Sequence, residues 1–152
     1  MRSAGVAWLL DLYGFKVYTL LGGYKKFRNK VLDTFKLPFQ FRILGGYTGS
    51  GKTELLKTLK EKGETIIDLE GLANHKGSAF GSIGMPEQPG QEMFENILAQ
   101  ELRHQLAVGI QQRLRLQTTN CIWLEDESQR IGQVNIPHEL WKVMRQSPVY
   151  FL

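Results

Sequence analysis

Cysteine is nearly absent from this chain: Cys121 stands alone. One thiol excludes an internal disulfide and a multi-cysteine zinc site, and it fits a reducing, cytoplasmic setting. No apolar run approaches the roughly 18 residues needed to span a bilayer. The opening "MRSAGVAWLLDLYGFK" carries Asp11 inside its apolar part and no small-residue cleavage site after it, so it reads as a helix, neither leader nor span. The Asn-Lys-x-Asp sequence that reads guanine is missing, which disfavours an ordinary GTPase. Neither a Ser-His-Asp arrangement nor a His/Cys ligand cluster occurs.

What is present suits one globular domain with a real core: 152 residues, 42% hydrophobic and 22% charged. The net charge of +4 is unevenly placed, because residues 1–36 hold seven Lys/Arg against two Asp/Glu. The cluster "YKKFRNK", with Lys25, Lys26, Arg28 and Lys30 beside two aromatics, suits phosphate backbones and base faces. The same run also reads as a solvated helix face.

Along the chain, Val6, Leu9, Leu10 and Tyr13 make a helical stripe with Ser3 as its cap, and Gly14 ends it. "KVYTL" reads as a short strand, and Gly22-Gly23 opens a second, basic helix to about Phe35. This α-β-α piece, residues 1–36, lacks partner strands of its own. Pro38 then marks a boundary, and residues 37–152 form a second unit. There the order is strand (Phe39 to Leu44), glycine loop, helix (Glu54 to Lys62), strand (Thr65 to Leu69) and Gly-rich loop (Gly71 to Gly90). A long helix to about Leu114 follows, then the strand "CIWLE", a helix from Pro137 to Arg145 and the strand "VYFL". The long helix carries the stripe Phe94, Leu98, Leu102, Leu106, Ile110 and Leu114, which Gly109 can interrupt. Alternating strands and helices predict an α/β fold with a parallel sheet flanked by helices. So few strands, with the last one at the chain end, suggest a fragment.

Gly46-Tyr47-Thr48-Gly49-Ser50-Gly51-Lys52-Thr53 fits G-x-x-x-x-G-K-[ST] and lies between a strand and a helix. Glycines turn successive amides inward, and the next helix adds its N-terminus, so Gly46, Gly49, Ser50 and Gly51 cradle an anion. Lys52 would reach the outer phosphates, and the Thr53 hydroxyl would ligate Mg2+. A second acid should come from the end of "CIWLEDES"; Glu125 and Asp126 are both candidates for the metal. Asp68, Glu70, Asn74, His75, Lys76 and Ser78 gather after the second strand, at the sheet edge where open parallel sheets bind ligands. Of these, Asp68 and His75 join Glu125 as catalytic candidates, although a lone His in such a loop is more often a structural hydrogen-bonder than a catalyst. Lys76 reads as a phosphate or RNA contact. On physics alone a kinase or ATP-dependent P-loop NTPase remains open.

Five stretches, "MRSAGVAWLLDLYGFKVYTLLGGYKKFR", "GYTGSGKTELL", "IDLEGLANHKGSAFG", "QPGQEMFENILA" and "IWLEDESQRIG", together resemble the tRNA 2-selenouridine synthase family over nearly the whole chain. The resemblance implies a rhodanese domain followed by a P-loop domain, with residues 1–36 as the tail end of the former. The rhodanese cysteine would lie just upstream of Met1, and Cys121 does not match it. It also implies a selenotransferase acting at the wobble uridine in the tRNA anticodon. A geranyl group moves from geranyl diphosphate to the sulfur of 2-thiouridine, and selenium from selenophosphate, delivered by a selenophosphate supplier, then replaces that sulfur. Gly49, Gly51, Lys52 and Thr53 would hold the diphosphate, and Glu125 or Asp126 would assist through Mg2+. The basic helix would face the tRNA, and a non-catalytic tRNA-binding module is the rival reading of the same features. Phe80, Met85 and Phe94 are apolar residues within reach of a geranyl pocket, and equally ordinary core. With the rhodanese cysteine missing, phosphate binding, tRNA binding and geranylation are the competences expected of this chain.

Overall fold

The computed structural model describes residues 2–47, 49–78, 80–116 and 121–152, and only the backbone of Arg2 and of residues 108–116. Four parallel strands form the central sheet: β1 (Phe41–Gly45), β2 (Thr65–Ile66), β3 (Ile122–Glu125) and β6 (Val149–Phe151), in the order β2-β3-β1-β6. A two-stranded antiparallel hairpin, β4 (Arg130–Ile131) and β5 (Val134–Asn135), lies outside it. The helices are α1 (Arg2–Leu12), α2 (Gly23–Thr34), α3 (Lys52–Glu61), α4 (Leu69–Ala73), α5 (Gln91–Leu116) and α6 (His138–Gln146).

Period-2 alternation sends Phe41, Ile43, Ile122 and Leu124 into one core with Phe94, Leu98 and Leu102 of α5 and with Leu140 and Met144 of α6. Leu44 and Trp123 point the other way and meet Leu56 of α3. Helices therefore cover both faces, as parallel strands require. Phe94 is fully buried, and truncating it to alanine would cost about 3–5 kcal/mol. The four-residue stripe of α5 is buried as expected at Phe94, Leu98 and Leu102 and partly at Leu106; the side chains of Gly109, Ile110 and Leu114 lie outside the described residues.

The N-terminal expectations need correction. Lys16 to Leu20 is not a strand, so the expected α-β-α piece is two helices joined by an irregular connection; the alternating pattern there has no neighbouring strand to complete a hydrogen-bond ladder. Helix α1 forms and Gly14 (φ +81°) follows its end, but Ser3 sits inside the helix rather than capping it. The stripe Val6, Leu9, Leu10 and Tyr13 is exposed instead of buried. Helix α2 behaves differently, since Val31 and Phe35 enter the main core across the boundary expected at residue 37. Strand β2 is also shorter than expected. The Asp68 carboxylate accepts a hydrogen bond from the Gly71 amide and caps α4, which diverts the chain out of the sheet.

Candidate phosphate site at the sheet edge

Strand β1 delivers the chain to Gly46 at the carboxyl edge of the sheet, and α3 begins at Lys52. Between them Gly49 (φ +82°) and Gly51 (φ +88°) take the left-handed conformation that glycine alone adopts freely, with Gly51 at the N-cap. The first amides of α3 thus close the loop, where the helix dipole favours an anion. Thr48 lies outside the described residues. The Lys52 ammonium donates to the carbonyls of Gly46 (2.9 Å) and Tyr47 (3.2 Å), and it lies 3.6 Å from Glu125 Oε1.

Parallel pairing explains that last distance. Leu44 of β1 is opposite Glu125 of β3, so the strand carrying the acid ends level with the strand feeding the loop. Glu125 also joins Glu70 and Glu127, with one carboxylate oxygen from each within 4.8 Å of the others. Neighbouring Asp126 accepts instead from Arg145 of α6. A polar cleft of about 520 Å³ runs between the loop and these acids, lined by Gly46, Gly49, Ser50, Gly51, Lys52 and Thr53 on one side and by Glu70, Lys76 and Glu125 to Glu127 on the other.

Half-burial beside other carboxylates disfavours the charged forms of Glu70 and Glu127. Burial first, then the charges of Glu70 and Glu125, push Glu127 up to about 7. Burial likewise raises Glu70, followed by the charges of Glu125 and Asp68. A hydrogen bond joins the two carboxyls, favouring the proton on Glu127 and the charge on Glu70. Lys52 opposes both shifts. Hydroxyl and carboxylate oxygens are the donors that a hard divalent cation takes, so Thr53, Glu125 and Glu70 suit Mg2+.

The other sequence candidates fall in different places. Lys76 lines the cleft. His75 is 8% exposed and its Nδ1 accepts from the Gly77 amide (3.1 Å). Its ring is closed in by Gly81 and Gly132, where an added Cβ would lie 2.7 Å from ring carbons. Lys25, Lys26, Arg28 and Lys30 are on α2, away from the cleft lining. Met85 lines a second, more apolar cleft, whereas Phe80 is exposed and Phe94 is core.

The reading of the sequence placed Glu70 among the polar groups beside the phosphate loop and Glu127 in the acidic strand end, but named neither as a metal or catalytic candidate. Glu127 had a signal, since residues two apart on an extended chain share a side and Glu125 was already a candidate. Glu70 had a weaker one in Asp68, whose capping starts the short helix that carries it.

Two loops distant in sequence are tied together around this site. The Gln88 side chain donates to the carbonyls of Ala73 (2.9 Å) and Ile131 (3.3 Å) and accepts from the Gln133 amide (3.0 Å). Gln91 donates to the Asn135 carbonyl and accepts from its amide. These amides fasten the β4–β5 hairpin to the loop after α4, holding Glu127 against Glu70.

Comparison with known proteins agrees with this architecture. Residues 39–152 match the family model described as the tRNA 2-selenouridine synthase AAA domain. The chain is 40% identical over its full length to the tRNA 2-selenouridine synthase of Pseudomonas syringae pv. syringae (strain B728a), covering 38% of that protein. It is 41% identical over its full length to that of Pseudomonas syringae pv. tomato, again covering 38%. With the Sulfurovum sp. (strain NBC37-1) protein of the same name, it shares 40% identity over 95% of this chain and 36% of the relative. The chain thus spans less than two fifths of these relatives. No solved structure matches it significantly, and no helix among the described residues is long and apolar enough to cross a membrane. The match across three quarters of the chain, including both the phosphate loop and the acidic strand end facing it, places this protein in the tRNA 2-selenouridine synthase family.

Proposed function

We infer that this chain is the phosphate-binding part of a tRNA-modifying enzyme that converts wobble 2-thiouridine to 2-selenouridine through a geranylated intermediate. Its phosphate loop holds the diphosphate of geranyl diphosphate, and selenophosphate, from its supplying enzyme, serves as the later selenium donor. One observation beyond family membership carries the choice of ligand. The polar cleft adjoins an apolar-lined cleft of about 570 Å³, and the two share Thr53, Glu70, Lys76 and Glu125. Leu56, Ile66, Ile67, Leu72 and Met85 line the second cleft, with Lys57, Lys60, Asp68 and Glu101 also in its wall and apolar surface predominating. A molecule with a diphosphate head and a hydrocarbon tail matches that pairing of surfaces.

In the transfer, the bond between geranyl C1 and the diphosphate oxygen breaks as a bond from C1 to the thiouridine sulfur forms. Negative charge gathers on the departing diphosphate. The loop amides and Lys52 meet that charge, which is where preorganised donors lower a barrier most. To do so Lys52 exchanges the Gly46 and Tyr47 carbonyls for phosphate oxygens. The proton released from the thiouridine ring passes to water at the mouth of the open cleft. Mg2+ held by Thr53 and Glu125 would supply further charge neutralisation. Lys76 contributes a second cation on the cleft wall.

Calorimetric titration with geranyl diphosphate and with magnesium-ATP, on this chain and on Lys52→Ala, tests the reading. Micromolar binding of geranyl diphosphate alone, lost in the variant, is the expected result. Binding of ATP without geranyl diphosphate would replace the reading with a nucleotide-dependent enzyme.

A further inference from the structure

The notable surface outside the cleft is the seam between α2 and α5. The two helices run side by side: Tyr24 meets Glu92 and Asn96, Arg28 meets Glu95 and Asn96, and Thr34 meets Arg103. Arg28 is therefore not a free cation, because its guanidinium is engaged by the Glu95 carboxylate and the Asn96 amide oxygen. The acids of the seam are engaged as well, Glu95 by Arg28 and Glu92 by the Tyr24 hydroxyl. Lys25, Lys26, Lys30 and Arg103 make no ion pair among the described residues.

Beside this seam a groove of about 240 Å³ has Phe27, Val31 and Ala99 at its floor and Lys30, Arg103 and Gln100 at its rim. No carboxylate among the described residues lines it. Its volume is below the roughly 300–1,000 Å³ of a small-molecule site, which favours one unit of a polymer over a free ligand. An apolar floor under cationic and amide groups matches a base or ribose with its flanking phosphates. The exposed Tyr24 ring is held at the same helix pair by its hydroxyl bonds to Glu92 and Asn96, giving a fixed stacking surface 5.8 Å from Phe27.

We propose that the α2–α5 groove is an RNA-docking surface, with Lys26, Lys30 and Arg103 on phosphates and a nucleotide seated over Phe27 and Val31. Arg103, 75 residues beyond Arg28 in sequence, takes the place that Arg28 would have had. The inference rests on the tRNA-modifying reading for its choice of polymer, while its geometry is independent of the phosphate loop.

The experiment is fluorescence-anisotropy titration of the 152-residue chain with labelled bulk tRNA across a series of salt concentrations. It compares the parent with the double variant Lys30→Ala/Arg103→Ala and with Lys52→Ala, each checked for folding by circular dichroism. The double variant should lose roughly tenfold in affinity and reduce the salt slope by between one and two. Lys52→Ala should bind tRNA like the parent while losing geranyl diphosphate. Unchanged tRNA affinity in the double variant, or no tRNA binding by the parent, overturns the groove even if geranyl diphosphate still binds through Lys52. Equal displacement of tRNA by poly-glutamate would also overturn it, in favour of an acidic protein partner.

Discussion

The two walls of the cleft are built in opposite ways. The phosphate wall is one continuous stretch, Gly46 to Thr53, whose shape follows from local glycine conformations and a helix start. The acidic wall is assembled from α4, the end of β3 and the residue two beyond it, and is held by side-chain amides of Gln88 and Gln91. A local motif keeps its geometry as long as its own backbone does. An assembled one depends on every tether around it, so the two walls should respond differently to substitution.

The largest effect is expected on the phosphate wall. Lys52→Ala should weaken diphosphate binding about 100-fold, from losing ~3 kcal/mol of charge-assisted hydrogen bonding, with little change in thermal midpoint; calorimetry and a melting curve together check this. On the acidic wall the order reverses, with stability responding first. Gly132→Ala should cost about 2 kcal/mol, because the new Cβ would lie 2.2 Å from Gln88 Oε1 and 2.7 Å from the His75 ring at φ +59°. Urea denaturation reads this directly, and an unchanged midpoint would mean that the hairpin is not fastened through Gln88.

Asp68→Ala should remove the α4 cap and about 1 kcal/mol of stability. It should also loosen Glu70, seen as weaker Mg2+ dependence of diphosphate binding. The smallest effect concerns protons. Glu127 is raised from 4.5 to about 7, so the folded state binds more protons than the unfolded state between those values, and stability falls as pH rises through that window. The melting temperature should therefore rise by a few degrees from pH 7.5 to pH 5, and Glu127→Gln should flatten that slope. A slope unchanged in the variant would place the titrating group elsewhere.

Legibility in the sequence followed the same division. The phosphate loop, the helix after it and the buried stripe of α5 were visible because each depends on residues within one or two turns of one another. The strand limits at Thr65–Ile66, the β4–β5 hairpin and α4 were not anticipated. They depend on a cap at Asp68 and on amide bonds spanning more than forty residues, as from Gln88 to Ile131. Lys16 to Leu20 failed in the opposite sense, having strand composition without a strand to pair with. Arg28 and Lys30 are indistinguishable as members of a basic run, yet one is neutralised by Glu95 and the other is not.

By itself the sequence pointed to a phosphate loop at a strand–loop–helix junction, to a parallel sheet, and to acids following the third apolar strand. Glycine spacing and hydrophobic period are local physics and survive in a string of letters. Only the tertiary structure decided that Glu125 rather than Asp126 stands beside Lys52, that Glu70 and Glu127 gather with Glu125 there, and that His75 is closed in between two glycines. Those outcomes depend on which strand lies beside which and on where each side chain finds its partner. Pairing across the sheet sets both, and no local pattern encodes it.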